Sequence, residues 1–190
     1  MTTSGFRLGI YVCKDAEIVD FAAPHGVFAV ARRFDPELEA FLIPGGFGLR
    51  QEIRNTRLHE FIHSLPQQTL LTSVCTGSWI YGQMGLLDGL PATSRKEPDR
   101  VESKAPGKVP IVRLADIAPV CRISRARIVD AGRMITAGGI TSGMEMGFHL
   151  LRRAGYAEQF IEEVARVMEY SQAYQLYRDD VEALQPAVAG

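Results

Sequence analysis

The chain has 190 residues, of which 46% are hydrophobic and 23% charged, enough to bury a substantial core, and residues 1–190 read as a single domain. Its 21 Lys and Arg nearly cancel its 22 Asp and Glu, and no basic run stands out, which argues against nucleic acid or an anionic membrane as partner and for a small molecule or another protein chain. No apolar stretch approaches the roughly 20 residues of a bilayer span, and the start, MTTSGFRLGIYV, lacks a signal-peptide cleavage pattern, so a cytoplasmic location is expected.

In chain order, Phe6 to Cys13 (FRLGIYVC) is an apolar run of strand length. Phe21 to Arg33 reads as a helix whose early Pro24 suits a first turn. Phe41 to Pro44 is a short buried strand stopped by Gly45 and Gly46. Thr56 to Leu65 is an amphipathic helix closed by Pro66, and Thr69 to Val74 is the next strand. Gly77 to Leu87 reads as helix ending at Gly89, with a short strand at Ala92 to Ser94. Residues 96–119 carry four prolines, Pro98, Pro106, Pro110 and Pro119, and show no clear period beyond a strand-like run at Val109 to Leu114. Arg127 to Thr136 looks like a β-hairpin turned at Asp130-Ala131-Gly132. Helices follow at Thr141 to Arg153 and Ala157 to Tyr170, separated by Gly155, and residues 170–190 read as a tail. Strands alternating with helices predict an α/β fold: an open, mostly parallel sheet covered by helices on both faces, with one short hairpin. In such sheets ligands sit beyond the carboxyl ends of the strands.

That rule gathers three segments at one edge. The first strand leads through KDAEIVD to Asp20, the second ends at Pro44-Gly45-Gly46, and the third ends at Val74-Cys75-Thr76-Gly77. Around Cys75, Ser73 and Gly77 are the small residues that a strained strand-to-helix elbow needs on either side of a nucleophile. A helix N-terminus there lowers a thiol pKa. From the local pattern alone, this reading stands level with Cys75 as a small buried hydrophobe. Gly45 and Gly46 are either a turn or an oxyanion hole built of backbone N–H groups. Asp20 is either a helix N-cap or, with the helix starting nearer Ala22 or Ala23, a carboxylate facing the site whose pKa rises beside a thiolate.

Other chemistry-bearing residues read as structural. His59-Glu60-Phe61-Ile62-His63 matches the H-E-x-x-H zinc pattern, but Leu58, Phe61, Ile62 and Leu65 define the apolar stripe, which turns both histidines toward solvent, and no third ligand follows. The three cysteines, Cys13, Cys75 and Cys121, are odd in number and show no C-x-x-C pairing, so no disulfide framework is expected. Cys13, Cys121, His25 and His149 are taken as structural.

The ordered series IVDFAAPHGVF, FLIPGGFG, TSVCTGSWIYGQMGLLDGLPAT and RIVDAGRMITAGGITSGMEMGFHL resembles the DJ-1/PfpI (ThiJ) superfamily, related to class I glutamine amidotransferases. Within it the motifs look most like the isocyanide hydratase branch and the matching domain of AraC-type regulators. The resemblance implies a flavodoxin-like sheet, Cys75 as elbow nucleophile, Asp20 as the acid contacting it, a small-molecule substrate, no cofactor or metal, and a homodimer. It implies a hydro-lyase or hydrolase, with a redox-sensing or protective protein carrying an oxidisable Cys75 as the alternative. Thr76 stands where PfpI-type proteases and glyoxalase-like members carry histidine, which moves the reading away from both. Two local departures stand out. The run from Asp20 to Pro44 is short for the family, and ATSRK at Ala92 to Lys96 replaces ATTHW of isocyanide hydratases, losing a histidine and an aromatic.

Overall fold

A computed structural model describes residues 7–31 and 38–184; the expected strand start at Phe6, the expected helix end at Arg33 and residues 185–190 lie outside the described residues. The strands are β1 (Arg7–Ile10), β2 (Leu38–Ile43), β3 (Leu70–Val74), β4 (Pro91–Ala92), β5 (Arg122–Ile123), β6 (Ile128–Ala131), β7 (Met134–Ala137) and β8 (Val181–Ala183). The helices are α1 (Ile18–Ala31), α2 (Leu49–Glu52), α3 (Thr56–Ser64), α4 (Ser78–Gln83), α5 (Pro110–Ile117), α6 (Ser142–Arg153), α7 (Glu158–Val167) and α8 (Ser171–Tyr177). Six strands form one sheet in the order β1-β2-β3-β7-β6-β8, while β4 and β5 pair separately. β1, β2, β3 and β7 run parallel, β6 returns antiparallel to β7, and β8 lies parallel to β6.

Alternation along the strands explains why both faces are covered. In β2, Phe41 and Ile43 join Leu58, Ile62, Trp79 and Leu114 in one apolar cluster, under α3, α4 and α5. The intervening Ala40 and Leu42 join Ile135, Met146 and Leu150 in a second, under α6. The expected α/β architecture is therefore the one observed, including the hairpin, whose turn lies at Gly132-Arg133 between β6 and β7. Gly132 has φ +83° there, a value that suits glycine.

Three expectations change. Val109 to Leu114 is no strand: Pro110 occupies the first turn of α5, where its missing N–H costs nothing, and Ile111 and Leu114 bury one face at helical spacing. The segment read as a tail supplies α8 and β8, the strand that closes one edge of the sheet by pairing Ile128 with Val181. Helix α1 starts at Ile18, so Pro24 lies inside it and Asp20 falls in its first turn. The short run from Asp20 to Pro44 holds most of α1 and all of β2, and β1, paired with β2 alone among the described residues, forms the other edge of the sheet.

Candidate active site

The sheet delivers Cys75 at the carboxyl end of β3, where one turn of 3-10 helix (Cys75–Gly77) feeds α4. Cys75 has φ +56°, a left-handed conformation that side chains other than glycine rarely adopt and that costs on the order of 1 kcal/mol or more. The surroundings hold it there. Its N–H donates to the Gly138 carbonyl at 2.7 Å, and its carbonyl accepts from the hydroxyls of Ser94 at 2.8 Å and Ser78 at 3.2 Å. A Cβ on Gly77 would lie 2.1 Å from the Ile43 carbonyl oxygen, so only glycine fits where the chain doubles back past β2. The small neighbours read from the sequence thus make an elbow.

Asp20 is fully buried in the first turn of α1. Its Oδ2 accepts the Gly45 N–H at 2.7 Å, and its Oδ1 has no hydrogen-bond partner. A Cβ on Gly45 would stand 2.7 Å from Asp20 Oδ2 and 2.9 Å from Cys75 Sγ. Carboxyl and thiol thus flank one bare Cα, close enough for the Asp20 charge to raise the thiol's pKa, with no hydrogen bond between them.

The two glycine amides do other work than expected. Gly45 donates to Asp20, and Gly46 donates to the Thr76 hydroxyl at 3.1 Å. A buried carboxylate demands a donor, and Gly45 supplies it, so the pair positions Asp20 and the elbow rather than standing free as an oxyanion hole. Thr76 contributes through its own backbone, whose amide favours negative charge on the Cys75 sulfur.

Burial pushes the Cys75 thiol up to about 12, and the neighbouring Asp20 charge adds to this; Arg95 and the Thr76 amide pull the other way. The expected lowering at a helix N-terminus is outweighed because the sulfur is desolvated and only one 3-10 turn separates it from α4. Burial likewise raises Asp20 to about 7, against the Gly45 amide, with Glu17 pushing further up and Arg95 pulling down. The direction expected for Asp20 holds, but its main cause is desolvation rather than the thiolate.

Arg95 is the site residue that the sequence reading missed. It lies in ATSRK, in the stretch already marked as departing from the resemblance, but its direction depends on a distant carboxylate. Arg95 Nη2 donates to both oxygens of Glu102 at 2.8 Å, and Glu102, only 2% exposed, also accepts the Asp99 N–H at 2.9 Å. So anchored, the guanidinium faces Cys75 and favours its thiolate. A chamber of about 200 Å³ opens over the sulfur between Thr76, Gly46, Arg95, Phe47 and Ile140. Arg95→Met is expected to slow alkylation of Cys75 by iodoacetamide at pH 8 about tenfold, because less thiolate is present; peptide mapping that finds an unchanged rate at Cys75 would refute a role for Arg95 in activating the thiol.

The remaining candidates do not converge here. In α3, His59 is half-buried and Glu60 and His63 are exposed, and among the described residues no three His, Cys, Asp or Glu side chains gather as a metal site. His25, taken as structural, is exposed on α1. His149 is buried and bonds Asp130 Oδ2 at 2.8 Å, with Arg153 on the same carboxylate at 2.6 Å. Burial raises Asp130, but the His149 and Arg153 bonds outweigh it and hold it at about 2, so this cluster is a structural brace between α6 and the hairpin. Cys13 and Cys121 are half-buried free thiols.

No protein-family profile matches the chain. Among solved structures, a ThiJ/PfpI family protein from Pseudomonas syringae superposes with a TM-score of 0.70 at 18% identity, covering 93% of this chain and 88% of that one. DJ-1 of Schizosaccharomyces pombe superposes with a TM-score of 0.65 at 14% identity, over 85% and 98% of the two chains. The chain has the DJ-1/PfpI (ThiJ) fold. The resemblance read from its motifs is found in curated sequences too. An isonitrile hydratase of Pseudomonas putida is 31% identical over 116 residues, 60% of this chain, and the HTH-type transcriptional regulator GbdR of Pseudomonas aeruginosa is 30% identical over 141 residues, 69% of this chain. The matches span 45% and 34% of those two proteins, less than half of either. Among the described residues no helix is long and apolar enough to cross a membrane.

Proposed function

We propose that the protein is a cysteine-dependent enzyme that hydrates an isocyanide to an N-formamide at Cys75. The observation that carries this is the strained Cys75 elbow beside a fully buried carboxyl group whose pKa is raised to about 7, at the floor of a chamber sized for a small head group. The terminal carbon of an isocyanide is small and carbenoid, so it takes a proton and the sulfur on the same atom. It needs one nucleophile, one proton and one water, and no cofactor enters the balance.

Asp20 and Cys75 titrate as a pair, and between their pKa values of about 7 and about 12 the pair holds one proton and one negative charge. Arg95 is the cation facing that charge. Sulfur bonds to the terminal carbon of R–N≡C, and the shared proton moves through Asp20 to the same carbon, giving a thioimidate, R–N=CH–S–Cys75. Water then adds to that carbon, Asp20 relaying one of its protons to the nitrogen to give R–NH–CH(OH)–S–Cys75, whose hydroxyl proton passes to Asp20 in the next step. The C–S bond breaks, releasing R–NH–CHO and restoring the shared proton between Asp20 and Cys75.

An oxidation sensor is the weaker reading, because the thiolate is the oxidisable form and burial makes it scarce. The test incubates the purified protein with n-butyl, cyclohexyl and benzyl isocyanide and follows formyl protons by NMR. Formamide production above the buffer rate is expected, with kcat/KM rising as pH passes through about 7, since the pair must lose one of its two protons. No formamide from any of the three would defeat the proposal.

A further inference from the structure

The Cys75 chamber does not end at the sulfur. Phe47, Arg50 and Asp99 are shared between it and an adjoining cleft of about 520 Å³, whose floor includes Trp79 and Ile117. At this junction the Arg50 guanidinium carbon stands 4.8 Å from the Phe47 ring centre and 5.9 Å from that of Trp79. Lys108 and Arg113 also line this cleft and are not among the residues it shares with the chamber.

The charges of this cleft are not balanced within the protein. Asp99 Oδ1 is spent as a cap, accepting from the N–H groups of Val101 at 2.7 Å and Glu102 at 2.8 Å. Glu102 is clamped by Arg95 and reached by Arg50 at 3.5 Å. Among the described residues Lys108 forms no ion pair and Arg113 reaches only the exposed Asp116 at 3.9 Å, a contact worth little in water. Three cations, Arg50, Lys108 and Arg113, thus face two carboxylates that are already engaged.

We propose that this cleft binds the far end of the substrate, and that the substrate is an isocyanide joined through an apolar segment to a carboxylate. The apolar floor takes the segment and the Lys108 and Arg113 wall takes the anion. Lys108, with no ion pair among the described residues, and Arg113, with only its weak contact to Asp116, are the two cations left to hold the carboxylate of the tail. This assignment rests on the hydratase reading for the head group, but the binding of the tail is measurable without turnover.

The probes are the product-type formamides 6-formamidohexanoate and the neutral N-hexylformamide, titrated calorimetrically into the wild-type protein at low ionic strength. The carboxylate is expected to bind at least about tenfold more tightly. In Lys108→Ala/Arg113→Ala that preference is expected to fall to near unity, while Arg166→Ala, on the exposed face of α7, keeps it. Both changed side chains lie at the surface; a melting curve checks folding, and the milder Lys108→Gln should give an intermediate ratio. Equal binding of the two probes, or a ratio that survives the double variant, overturns the proposal. Preferential carboxylate binding by a protein that yields no formamide from any isocyanide would support the cleft and refute the hydratase chemistry.

Discussion

Cys75→Ala is expected to lower the rate of formamide production by on the order of 10⁴-fold or more, the scale on which removing a covalent nucleophile acts, while the protein remains folded. NMR detection of formamide at anything near the wild-type rate would show that the sulfur is not the nucleophile. The same position offers a second readout that has nothing to do with chemistry. Cys75 sits at φ +56°, and alanine inherits that strain whereas glycine does not. Cys75→Gly should therefore be more stable than Cys75→Ala by about 1 kcal/mol in urea unfolding, even though both are inactive. Two equally inactive variants that differ in stability in the order of their tolerance of a positive φ would show that the elbow holds its nucleophile at a cost to the fold. Alanine equal to or more stable than glycine would mean that the backbone there is not strained.

How far the sequence reaches follows from how local each cause is. The elbow was legible because its requirements are small residues two positions either side of Cys75, and the contact of Gly77 with the Ile43 carbonyl bears out that logic. The short apolar runs of β2 and β3 are equally local, and their alternation with helical segments predicted the sheet. The proline-rich stretch misled because Val109 to Leu114 is too short for one period to exclude the other, and Pro110, read as a breaker, serves instead as a helix start. β8 was invisible for a different reason: a three-residue strand exists only because β6 offers it an edge more than forty residues earlier in the chain. Arg95 belongs to the same class. Nothing within a few residues of it predicts that Glu102 will be buried and will hold the guanidinium toward Cys75. What could be seen was the departure of ATSRK from the resemblance, and that departure falls on the residue that faces the sulfur.

The second large effect is expected at Asp20, where catalysis and stability are tied to one ionisation. Asp20→Asn removes the group that shuttles the proton and should lower kcat by about 10²- to 10⁴-fold. It should also flatten the rise in activity through about pH 7. Its effect on stability has the opposite sign. The folded pKa of about 7 lies above the ordinary 3.8, so the native state favours the protonated acid. The stability this gives is complete below about pH 4 and is lost as pH rises toward 7, by roughly 4 kcal/mol if the whole displacement is realised. Asparagine cannot ionise and escapes that loss, although its amide takes the place of an Oδ1 that has no partner and brings a buried donor needing one. In urea unfolding the variant should therefore gain on the wild type between pH 5 and 8, ending the more stable at pH 8. Asp130, held at about 2, contributes stability that is lost only as pH falls below about 4 and leaves this window undisturbed. A wild type and variant that differ by the same amount at pH 5 and pH 8 would mean that Asp20 does not titrate in the folded protein near neutrality, and the proton shared with Cys75 would have to be sought elsewhere.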